Sequence, residues 1–182
     1  MEKIIYVLSV GEVMKKLIII NGTMGVGKTT TCLELRKLIP KNVFLDGDWC
    51  WNMNPFVVNH ETKTMVISNI VFLLNNFIKC NEYENIIFCW VMHEQNIIDE
   101  ILEKLELENC KEFIFSLVCT EEALKQRLET DINSGKRSKD ILIRSLPHLS
   151  KYQKINSVKI DVSEITPTKS AQKISNFING IY

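Results

Sequence analysis

Near the start of the chain, Gly22-Thr23-Met24-Gly25-Val26-Gly27-Lys28-Thr29, followed by Thr30, has the residue types and spacing to hold a polyphosphate. A triphosphate is a dense anion, and wrapping it takes many backbone N–H groups converging on one point. Gly22, Gly25 and Gly27 permit the positive φ angles and close approach such a loop needs. Lys28 is expected to reach the β- and γ-phosphates and to steady the phosphoryl group in transfer, and the Thr29 hydroxyl to join the shell of a bound Mg²⁺. An apolar run before the loop and an amphipathic stretch after it frame the segment as strand, loop and helix, the positive helix end pointing at the anion. The implied cofactors are ATP and Mg²⁺.

Asp46-Gly47-Asp48 follows a second apolar run, where open α/β sheets bind their ligands. Asp46 is placed for the outer shell of the metal and Asp48 for an acceptor hydroxyl that needs a carboxylate to orient it or take its proton. A polar turn in which Asp48 caps the next segment is the plainer alternative. Trp49, Trp51 and Phe56 come next, either to stack on a substrate ring or to cover the edge of a core. His93, after a third apolar run, reads as a substrate contact or as an ordinary polar group. Arg127, Lys136, Arg137 and Arg144 surround the most polar stretch, 129–140. Planar Arg donors on a closing segment suit charge that builds on transferring oxygens, with Arg137 the first choice, Arg127 over an adenine ring and Arg144 toward the acceptor. A solvated basic face is the alternative.

The elements that must position these residues alternate along the chain. Strands are expected at 17–21, 43–46, 85–91, 112–118 and 157–161, and helices at 28–38, 62–79, 94–107, 120–131, 138–151 and 168–178. That alternation, with nearly continuous Ile, Val, Leu and Phe in the strands, predicts a five-stranded parallel sheet covered on both faces, a three-layer α/β P-loop NTPase fold with a small lid. The helix at 62–79 is apolar nearly all round and is expected to be deeply buried. Residues 129–140 read as a mobile surface excursion.

Bulk properties narrow the function. At 182 residues the chain fits one domain, 14–182, with 1–13 as an extension upstream of Met14. The apolar fraction of 46% is enough for a core. Lys plus Arg and Asp plus Glu stand at 22 each, so no basic field is available for a nucleic acid. No apolar run reaches the roughly 18 residues of a membrane span. The six cysteines are scattered without C-x-x-C pairs, as reduced thiols in a cytoplasmic protein would be.

The chain resembles the nucleoside-monophosphate-kinase-like group of P-loop kinases, which includes shikimate, gluconate and adenylate kinases and antibiotic phosphotransferases, and looks closest to bacterial nucleotide kinases of the AAA-type ATPase family. The resemblance runs over 15–180 and rests on Gly22 to Thr29, on Asp46-Gly47-Asp48 as a D-x-D after the second strand, on Arg127-Leu128 and Arg137 at the lid, and on Val158 to Ser163 as the last strand and adenine-side loop. The sequence departs from shikimate kinase at Trp90-Val91-Met92-His93, which lacks a glycine-rich turn and a Walker B aspartate, and from adenylate kinase at Glu129-Thr130-Asp131, where a second arginine is missing. The resemblance implies a Mg²⁺-dependent ATP phosphotransferase with a small-molecule or nucleotide acceptor, working as a monomer or homodimer. A resistance or regulatory ATPase that binds nucleotide without transferring phosphate is the alternative. A GTPase would need N-K-x-D, which the sequence lacks.

Overall fold

Alternate residues of the first strand, β1 (Lys15–Asn21), divide between two cores. Leu17 and Ile19 enter one, Ile18 and Ile20 the other, and all four are almost wholly buried. A strand with both faces covered lies in the middle layer of three, which the computed structural model, describing residues 14–181, bears out. The sheet is parallel throughout in the order β2-β3-β1-β4-β5, with β2 Asn42–Asp46, β3 Asn85–Trp90, β4 Cys110–Val118 and β5 Val158–Asp161.

Helices α1 (Lys28–Leu38) and α6 (Pro167–Ile178) cover one face, contributing Leu35, Ile174 and Ile178 to its core. Helices α2 (His60–Lys79) and α3 (Gln95–Leu102) cover the other with Val66, Ile70, Leu74, Ile98 and Ile101. A small third core of Leu124, Leu128 and Ile141 joins α4 (Glu121–Asn133) to α5 (Ile141–Ser145) at the lid. The chain runs from β1 outward to β2 and returns through β3 before crossing to β4, so the strand order reverses around β1 and opens a crevice at its carboxyl end.

Three expectations need correction. Helix α2 is buried only along the line Val66, Ile70, Leu74, Ile78, whose four-residue spacing follows one face of a helix. Phe72 and Met65, on its other side, are exposed. Helix α3 stops at Leu102 instead of 107, because Asn75 of α2 accepts from the Glu106 N–H (2.9 Å) and donates to the Lys104 carbonyl (3.1 Å), drawing that stretch into turns. The helix expected over 138–151 is the short α5, then a 3₁₀ segment, Leu146–Lys154, with Pro147 in its first turn. Proline has no N–H to continue the α-helical ladder. The extension at 1–13 lies outside the described residues. No helix among the described residues is long and apolar enough to cross a membrane.

Candidate functional site

The loop between β1 and α1 follows from its glycines, with φ values of 149° at Gly22, 83° at Gly25 and 104° at Gly27. At Gly25 the positive φ coincides with close approach, because a Cβ there would overlap the Leu128 side chain. Gly27 is the N-cap of α1 and has no side chain to offer the first-turn amides, which no acidic residue answers either. Thr23 and Val26 are buried beneath the loop, while Thr29 and Thr30 face outward. Lys28 folds back so that its Nζ donates to the carbonyls of Gly22 (2.9 Å) and Thr23 (3.2 Å). Burial lowers the pKa of this ammonium, against the opposing attraction of Asp48 and Asp46.

Asp46 ends β2 and is buried. Its Oδ2 accepts from the Thr29 hydroxyl at 2.7 Å and its Oδ1 from the backbone N–H of Asp48 at 3.1 Å. Parallel pairing sets Asp46 opposite Cys89, which brings Gly47 and Asp48 against Trp90 at the end of β3. Gly47 is needed there for space, since any Cβ would strike the Trp90 side chain. The low-dielectric surroundings hold the Asp48 carboxyl above its ordinary pKa, and the Asp46 charge adds to this. Lys28, a hydrogen bond from Trp90 and the charge of Arg137 oppose the shift.

Beyond Asp48 opens a cavity of about 810 Å³, walled by Trp49, Trp51, Phe56, Trp90 and Met24, with Arg144 at its rim. Arg144 is tied through its Nε to Asp140 at 2.7 Å. Arg137 pairs with Asp131 at 3.1 Å, close enough to Asp48 to affect its titration. On the other side of the loop Arg127 donates to the carbonyls of Val26 (3.2 Å), Val162 and Ser163. It borders a cavity of about 130 Å³ with Val26, Gly27, Ile165 and Pro167.

The structure thus gathers Lys28, Thr29, Asp46, Asp48, Arg137, Arg144 and the tryptophans at one sheet edge. It leaves His93 out of the cavity lining, with its ring against His148 at 4.5 Å between centroids. Met24, read as a phosphate-loop residue, faces the aromatic cavity. Sequence reasoning missed Trp90 as a wall and Ser145 as a strut. The Ser145 hydroxyl donates to the Met24 carbonyl (2.6 Å) and lies 2.9 Å from that of Thr23. No local signal marks either role, because each depends on partners far along the chain.

Burial and the neighbouring His148 lower the pKa of His93. A depressed folded value means that the unfolded chain takes up the proton more readily, so His93 favours folding above about pH 6.5 and this contribution fades as the pH falls below it. Thermal unfolding between pH 7.5 and 5.5 is expected to show a steeper loss of midpoint for the wild type than for His93→Gln. Parallel slopes would remove His93 as the source.

A family model described as an AAA domain matches residues 18–145. Among solved structures, the Deinococcus radiodurans tunicamycin resistance protein aligns with a TM-score of 0.67 at 18% identity, covering 90% of this chain and 95% of its own. Shikimate kinase from Acinetobacter baumannii, in complex with shikimate, aligns at 0.63 and 20%, with 92% and 95% covered. Mycobacterium tuberculosis APS kinase, in complex with AMPPNP and APS, aligns at 0.64 and 13%, with 91% and 98% covered. At these identities the likeness is one of fold alone, a three-layer α/β P-loop fold. No curated protein sequence matches the chain.

Proposed function

Because this chain belongs to the AAA domain family, we propose that it is an ATP- and Mg²⁺-dependent phosphotransferase acting on a small-molecule or nucleotide acceptor. The observation that carries the reading is the placement of Asp48 between two sites, with the Lys28 loop and the Thr29–Asp46 pair on one side and the aromatic cavity on the other. A phosphoryl acceptor must meet the γ-phosphate in line, and a carboxylate at that boundary orients the attacking hydroxyl.

In this reading the glycine loop and Lys28 hold the phosphates, and Arg127 with the small cavity takes the base. The hydroxyl of Thr29 and, through the outer shell, the carboxylate of Asp46 are hard oxygen donors of the kind Mg²⁺ takes. When bound, that ion would supply positive charge to offset the charge developing on the phosphoryl group in transfer. Arg137 offsets charge on the transferred group from the lid, and Arg144, Trp49 and Trp51 meet the acceptor. Residues 14–182 act as one domain in a reducing, cytoplasmic setting, in keeping with free cysteines throughout.

The test is ADP release from purified protein with ATP and Mg²⁺ against nucleosides, nucleotides, sugars and nucleoside or aminoglycoside antibiotics. Turnover stimulated at least tenfold by one acceptor class is expected. Tight ATP binding with no stimulation by any acceptor would overturn the phosphotransferase reading in favour of a nucleotide-binding protein.

A further inference from the structure

The chain has three tryptophans, and all of them, Trp49, Trp51 and Trp90, line the cavity beside Asp48. Phe56 extends the wall, its ring 5.8 Å from that of Trp51. Trp49 and Phe56 are exposed large apolar side chains, 58% and 67% accessible, a costly display unless a ligand covers them. A cavity of about 810 Å³ lies in the upper part of the roughly 300–1,000 Å³ range of small-molecule sites, well beyond what a single sugar ring fills.

Charge is as informative as shape. An anionic acceptor would need a cation with charge to spare. The lining supplies one cationic side chain, Arg144, already paired with Asp140, and sets against it the carboxylate of Asp48. A carboxylate or phosphate bound here would be desolvated against apolar walls and repelled by Asp48, which is unfavourable on both counts. A neutral ring meets aromatic faces without either cost, and Asn52 adds an uncharged donor and acceptor.

We propose that the acceptor is an uncharged, multi-ring alcohol, of the size and chemistry of a nucleoside or aryl glycoside, stacked among Trp49, Trp51, Phe56 and Trp90 with one hydroxyl turned to Asp48. This deepens the phosphotransferase reading and rests on it. The hydroxyl oxygen forms the new bond to the γ-phosphorus as the bond to the β–γ bridging oxygen breaks. The hydroxyl proton passes to Asp48, and ADP leaves with the electron pair.

The tryptophans report occupancy directly, without any turnover. Tryptophan emission of the full chain, free of nucleotide, is to be titrated with uridine, adenosine and phenyl β-glucoside, and in parallel with gluconate and shikimate. At least one neutral ring compound is expected to give a saturable change at a concentration at least tenfold below any the acids require. Trp51→Ala and, as a milder variant at an exposed position, Phe56→Ala are each expected to weaken that binding about five- to a hundred-fold, as loss of a stacking ring does elsewhere. Their calorimetric affinity for ATP should stay within about threefold of the wild type. Saturation by the acids alone, or no response to any neutral ring compound, would overturn the acceptor class while leaving the kinase reading to the ADP assay. Saturation by a neutral ring compound without ADP release would sustain the ligand class and count against phosphoryl transfer.

Discussion

Replacing Lys28 by methionine is expected to lower kcat/KM for ATP by about 10²–10³, the usual loss when one pre-positioned donor to a developing negative charge is removed. Two of its ammonium protons are committed to the carbonyls of Gly22 and Thr23, which holds the charge at the loop. No other cation is built into the loop. The same residue is penalised by burial in the free protein. Methionine has similar length and no charge to desolvate, so the thermal midpoint is expected to hold or rise while activity collapses. Calorimetry with ATP and Mg²⁺ beside a melting curve separates the two effects. A variant that binds and turns over ATP as the wild type does would remove Lys28 from the phosphate site.

Asp48→Asn is expected to reduce kcat by about 10²–10⁴, the range for loss of a positioned proton acceptor, while the affinity for ATP stays within about threefold. The asparagine keeps the shape and can still accept from Trp90, but it cannot take a proton from the acceptor. The pH profile adds a second readout. Burial and Asp46 hold the Asp48 carboxyl above its ordinary value, so the acid limb of kcat/KM should lie above the usual carboxylate value of about 3.9 and vanish from the residual activity of the variant. Intact turnover in Asp48→Asn would eliminate it as the group that activates the acceptor.

Much of this architecture was legible beforehand because each strand carries its own signal. Ile18 and its neighbours read as a doubly covered strand without knowledge of what covers them, and the glycine loop declares its conformation locally. What depends on distant partners was not legible. Nothing around residue 103 says that Asn75 will capture the backbone there, and the apolar surface of α2 does not reveal which side meets the sheet. The link between Asp48 and Trp90 joins residues far apart in sequence and exists only because β2 pairs with β3 in a register that sets Asp46 beside Cys89. The surroundings of His93 were hidden for the same reason: its position after a strand pointed to the ligand edge, and the ring it packs against, His148, comes from the 3₁₀ segment.

Met24 faces two ways. Its side chain walls the aromatic cavity while its carbonyl, inside the glycine loop, is held by the Ser145 hydroxyl of α5. A molecule settling in one compartment therefore meets a residue that belongs to the frame of the other, and any change in affinity that results must, by thermodynamic reciprocity, be equal in both directions. Met24 thus joins Asp48 as a residue common to both compartments, and synergy between donor and acceptor has a route through each of them.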